Sequence, residues 1–87
     1  MAESKIPMSP FATKSVSDSM TVAANSINTM RLSAPDAKYQ IVKGFRISNT
    51  GDVPVLQVYF EDSTNIIVRV RNVTSGAQST DVTVWYC

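Results

Sequence analysis

From Ser15 onward, apolar and polar residues alternate with a period of two. Val16, Met20 and Val22 share one face with Asp18 as the polar exception, while Ser15, Ser17, Ser19 and Thr21 take the other. That spacing predicts a half-buried strand. The stretch AANS (Ala23 to Ser26) turns the chain into a weaker strand over Ile27 to Ser33, with Met30 and Leu32 inward. SAPDAK (Ser33 to Lys38) is a loop of turn formers that includes Pro35 and Asp36. Over Tyr39 to Asn49 the inward face reads Tyr39, Ile41, Phe45 and Ile47, with Lys43 as the exception, and Gln40, Arg46 and Ser48 point the other way. Asn49 to Asp52 closes this strand as a turn, with Gly51 free to take positive φ.

Val53 to Phe60 is apolar on both faces, with Leu56, Val58 and Phe60 on one and Val53, Val55 and Tyr59 on the other. Such a run fits a strand covered on both sides. After the polar hairpin loop Glu61 to Asn65, Ile66, Val68 and Val70 alternate with Ile67, Arg69 and Arg71. Thr74 to Thr80 reads as a second hairpin loop around Gly76. In the last strand Val82, Val84 and Tyr86 oppose Asp81, Thr83, Trp85 and Cys87. Six antiparallel strands with frequent turns predict an all-β fold: a small antiparallel β-sandwich or jelly-roll-like domain over residues 15–87. Residues 1–14 carry two prolines and isolated apolar side chains at Ile6, Met8 and Phe11 without a period. They read as an extended N-terminal arm, either disordered or laid against another surface as a docking segment.

Composition reinforces the strand reading, because 11 Val and 6 Ile outnumber 2 Leu, and Ser plus Thr make 19 of the 87 residues. A chain of this length holds a single small core. Eight Lys+Arg against seven Asp+Glu leave a formal charge of +1, too weak a field to favour nucleic acid or an anionic membrane as the main partner. No window approaches the length of an apolar membrane span, and no secretory leader is recognisable, so a soluble, unprocessed chain is expected. With no His and one Cys, neither a disulfide framework within the chain nor a Cys/His metal cluster is available, and no cofactor is expected.

No catalytic motif stands out, and an enzyme is the last expectation. The acids Asp36, Asp52, Glu61, Asp62 and Asp81 mostly fall in turns or loops, where solvated carboxylates are ordinary. Glu61 and Asp62 stand together in one loop as a possible ligand contact, such as a share of a Ca²⁺ site, against the plainer reading of a solvated turn. Arg69 and Arg71, on one strand face, are a possible sugar or phosphate contact, against the plainer reading of an exposed face with cross-strand partners such as Asp81. Asp18 either pairs with a cation or marks an exposed edge. Asn72-Val73-Thr74 fits a glycosylation sequon, a match expected by chance. More informative is the apolar surplus. Once one inside is filled, Val55, Tyr59, Ile67, Val73 and Trp85 are left on opposite faces, so either the two-sheet fold covers them or they form a subunit interface.

Three segments carry a family resemblance: TVAANSINTMRLS (Thr21 to Ser33), FRISNTG (Phe45 to Gly51) and VRVRNVTSGAQSTDVTVWYC (Val68 to Cys87). Together they resemble the small β-sandwich domains of bacteriophage tail-fibre and receptor-binding proteins. The stretch RISNTGDVPVLQVYF (Arg46 to Phe60) is similar to short phage virion proteins of the decoration or accessory kind. The resemblance implies a non-enzymatic virion structural protein, assembled in the host cytoplasm and carried on the particle. Its implied partners are other capsid or tail proteins and copies of itself, with a trimer the implied oligomer. The alternative it implies is a host-surface glycan-binding module that makes contact through its loops. A cellular carbohydrate- or protein-binding sandwich is the second alternative.

Overall fold

A computed structural model of the chain describes residues 13–87. The described residues form six strands: β1 (Lys14–Val22), β2 (Ile27–Ser33), β3 (Val42–Ile47), β4 (Val55–Phe60), β5 (Asn65–Arg71) and β6 (Gln78–Tyr86). They build two three-stranded antiparallel sheets, ordered β1-β6-β3 and β2-β5-β4. The sheets pack face to face as a small β-sandwich, as the alternation predicts. β1 lies beside β2 at one side of the sandwich, and β3 beside β4 at the other. Ile6, Met8 and Phe11 lie outside the described residues.

The core forms where the alternation of the two central strands meets. Ile66, Val68 and Val70 of β5 face Val82 and Val84 of β6, and all five are fully buried. Met30 and Leu32 of β2, Ile47 of β3, Val22 of β1, and Ala34 and Val53 from the loops complete it. Branched residues suit this position, since their stiff side chains pack well on a pleated surface. Tyr86 closes one end: its ring meets Phe60 edge to face at 6.1 Å, and its hydroxyl donates to the Pro35 carbonyl at 3.1 Å.

Connectivity departs from the expected hairpins at one end. The Glu61 to Asn65 loop joins neighbours within a sheet, but the chain between β5 and β6 passes from one sheet to the other. Asn72 is the cause. Its buried side chain donates from Nδ2 to the carbonyls of Val22 (2.9 Å) and Gly76 (2.8 Å), and its Oδ1 accepts from the Thr74 backbone N–H at 2.8 Å. The Thr74 hydroxyl, 2.7 Å from that Oδ1 and 2.8 Å from the Gly76 carbonyl, gives its single proton to one of them. The Asn72 backbone N–H reaches Ser26, and the Asn25 N–H reaches Thr74. One amide thus ties the β1–β2 turn to the β5–β6 connection. It also removes the sequon from consideration in the folded chain, because the asparagine nitrogen is buried and used.

Two β-bulges revise the predicted faces. One between Val42 and Gly44 turns Val42 toward the core, and the approach to β3 falls out of phase, so Tyr39 and Ile41 are exposed. Phe45 shares a face with buried Val84 by register, yet at this sheet edge it stays about half exposed. The second bulge lies between Val55 and Gln57. It turns Val55 onto the core, against the expectation that Val55 faces outward, and leaves Leu56 47% exposed where the alternation put it inside. A single extra residue exchanges the two faces of a strand. β4 is consequently an edge strand with an open outer face, not one covered on both sides. Positive φ also falls elsewhere than expected: Asn25 (53°), Asp36 (61°) and Gln40 (53°) adopt it, while Gly51 does not.

Two consequences are measurable. Asn72→Ala strands several buried polar groups at once and is expected to cost about 3 kcal/mol in urea unfolding; a loss below about 1 kcal/mol would show that the amide network is dispensable. Burial raises the Tyr86 phenol above its ordinary value, with the Asp36 charge adding to the effect. The unfolded chain therefore releases that proton first, so stability falls as pH rises beyond about 10. Tyr86→Phe should flatten this alkaline decline in pH-resolved denaturation.

Candidate functional site

The outer surface of β2-β5-β4 is organised by one row of paired residues, Arg31, Ile67 and Tyr59. Arg31 binds Glu61 through both nitrogens of its fork, Nε to Oε1 at 2.7 Å and Nη2 to Oε2 at 2.9 Å. Arg31 lies on β2 and Glu61 follows β4, so the side chain crosses β5, a span of about 9–10 Å between strand axes. It passes over Ile67. That crossing accounts for an outward-facing isoleucine only 5% exposed, because long charged side chains cover apolar surface with their stems. Tyr59 remains open beside it at 43% exposure.

Of the polar residues singled out in the sequence on this side, Arg69, Glu61 and Asp62 have side-chain partners within the chain. Arg69 donates to Gln57 at 3.2 Å, and Arg71 is exposed opposite Ile27. Asp81 belongs to the other sheet and does not pair with them. Asp62 folds into its own loop, with Oδ1 accepting from the Thr64 N–H at 2.9 Å and the Asn65 amide at 3.1 Å. These bonds, that of the Thr64 N–H first, hold its carboxyl below the ordinary aspartate value. Glu61 is drawn onto the sheet and Asp62 into the turn, so the two acids do not converge. Among the described residues no three metal-ligating side chains come together.

The opposite surface, on β1-β6-β3, differs in character. Hydroxyls of β1 and β6 pair across the ladder, Ser17 with Thr83 at 2.8 Å and Thr21 with Ser79 at 3.1 Å. The Ser19 hydroxyl donates to Asp81 Oδ1 at 2.7 Å. The Asp81 backbone N–H donates to the Ser48 hydroxyl at 2.9 Å, which fixes that side chain beyond the end of β3. Arg46, Ser48, Asp81 and Thr83 line an open depression of about 240 Å³. Trp85, 37% exposed, follows Thr83 on the same face and pairs with Ser15 on one side and Gly44 on the other. Asp18 is exposed on the edge strand β1, with its Oδ1 accepting the Ser19 N–H.

The proposed interface residues therefore divide. Tyr59 and Ile67 lie on one outer face and Trp85 on the other, Val55 faces the core, and Val73 is 51% exposed in the β5–β6 connection. Four exposed apolar side chains lie on or beside the two adjacent edge strands: Ile41 and Phe45 at β3, Leu56 and Tyr59 on β4. Cys87, expected on an outer face, is a buried free thiol whose backbone pairs with Ile41. Searches of protein-family models, curated proteins and solved structures find no match to this chain.

The depression was not legible as a site from the sequence. Alternation puts Asp81, Thr83 and Trp85 on one face of their strand and Arg46 with Ser48 on one face of theirs, but the pairing of β3 with β6 that unites them is non-local. For the other surface, Arg31→Ala is expected to cost about 1 kcal/mol, chiefly by uncovering Ile67. Glu61→Gln should cost less, since an exposed ion pair contributes little; equal losses in urea unfolding would assign the effect to the charges instead.

Proposed function

We propose that this chain is a non-enzymatic bacteriophage virion protein, a surface accessory, decoration or fibre-knob subunit that acts by docking on other virion proteins and on copies of itself. The carrying observation is the β3/β4 side of the sandwich, where Ile41, Phe45, Leu56 and Tyr59 are each more than two-fifths exposed. Large apolar side chains left exposed along adjacent edge strands of a small domain favour contact with another protein surface. The bulges in both edge strands interrupt the row of backbone groups there, which disfavours strand addition and leaves side-chain packing as the mode of association. The resemblance of Thr21 to Ser33, Phe45 to Gly51 and Val68 to Cys87 to phage β-sandwich domains supports the particle as the setting. In this reading Ile6, Met8 and Phe11 supply a second docking segment to a capsid or tail protein, and the assembly is a trimer.

Sedimentation of the full chain is expected to show a concentration-dependent oligomer. The double variant Phe45→Ser, Leu56→Ser removes two exposed side chains and should weaken association by at least about tenfold without loss of folding. A wild-type chain that stays monomeric, absent from particles probed with immunogold-labelled antibody, would refute the proposal.

A further inference from the structure

We propose that the open edge of β1 joins a second copy of this chain by antiparallel strand addition, across a twofold axis at Val16. β1 ends its sheet, and its nine residues pair with β6 without a register shift, whereas β3 and β4 are both bulged. An edge strand of that length and regularity is a template for a further strand.

The central strand decides which backbone groups this edge offers. Asp81 commits both of its own to Ser48: its carbonyl accepts from the Ser48 N–H at 3.0 Å, and its N–H donates to the Ser48 hydroxyl at 2.9 Å. Both point toward β3, so Ser19, paired with Asp81 on the other side, turns its backbone groups outward. The unbroken register carries the same orientation to Ser15, Ser17 and Thr21. Part of this row is closed from within. The Ser19 N–H donates to Asp18 Oδ1 at 2.8 Å, and Asn28 Nδ2 reaches the Thr21 carbonyl at 3.5 Å. Among the described residues Ser15 and Ser17 keep both outward groups open.

Side chains choose the partner and the register. With Val16 opposite the partner's Val16, Ser15 meets the partner's Ser17 and exchanges two hydrogen bonds with it, and the twofold axis repeats the pair. The same register sets Lys14 opposite the partner's Asp18, twice, on one face. Asp18 is the exposed polar exception on the inward face of β1, and such a charge disfavours an unrelated apolar strand. Moving the axis by one residue sets Asp18 against Val16 or beyond the end of the strand. Moving it by two sets Asp18 against Asp18 or Lys14 against Lys14. Charge therefore selects a second copy in one register. β1 lies on the side of the sandwich away from β3 and β4, so this contact forms with or without the one proposed above.

The test is amide hydrogen exchange and sedimentation of the full chain carrying Phe45→Ser and Leu56→Ser, which removes the other proposed contact. Protection of the Ser15 and Ser17 amides should rise at least about threefold between about 10 µM and about 1 mM, alongside a monomer–dimer equilibrium. Ser17→Pro removes an N–H that no ladder bond uses, so the fold should survive while dimer formation weakens at least about tenfold. Asp18→Lys should weaken it as much, and adding Lys14→Asp should restore it. Ser15 and Ser17 amides that exchange alike at both concentrations, a dimer that Ser17→Pro leaves intact, or a charge-exchanged double variant that fails to recover association would overturn the assignment.

Discussion

A single buried amide governs how this sandwich is connected. The Asn72 side chain holds the carbonyls of Val22 and Gly76 and the N–H of Thr74, linking segments from both sheets. A hydrophobic core alone does not specify which strands join across it, since valines on β5 and β6 would pack in several registers. The amide favours the observed connection, because a buried polar group without its partners is costly and this arrangement supplies them all. The central strands then lie one in each sheet, and the chain ends of four strands converge at the same pole. Ser48 and Asn49 dock there too, through Thr80 and Ser79.

This pole also gathers three turn segments of the sequence. AANS, SNTG and RNVTSG are far apart in sequence, yet all three supply the turns and hydrogen bonds of one end of the molecule. They are architectural segments. Segments of that kind close a sandwich, and function has to be argued from the surfaces that the closure presents. Those surfaces are three and differ chemically: an apolar side at β3/β4, an outer face bridged by Arg31 and Glu61, and an outer face of paired hydroxyls beside Arg46, Asp81 and Trp85.

Much of the fold was legible because burial follows a period of two. The six strands, and the inward residues of β2, β5 and β6, are read directly from alternation, with Ile27 to Ser33 matching β2 end to end. What escaped was whatever depends on an extra residue or a distant partner. The bulges at Val42/Gly44 and Val55/Gln57 leave no mark in a pattern of apolar and polar positions, so Val55 and Leu56 exchanged places. The cover of Ile67 was left open between the fold and an interface because it is Arg31, a charged residue 36 positions earlier that counts as polar in any pattern. The crossing from β5 to β6 was hidden in the same way, since a Gly-containing polar loop after a strand has the signature of a hairpin.

Division of labour among the surfaces is the centre of the account: the Asn72 pole closes the sandwich, the β3/β4 side is proposed to join it to neighbours, and the face around Trp85 is proposed to stay open. A density map of intact particles carrying the protein tests this most directly. The account predicts Phe45, Leu56 and Tyr59 packed against a neighbouring chain, with Arg46, Asp81 and Trp85 facing solvent. A map with the Trp85 face buried in the particle and the β3/β4 side bare would contradict it.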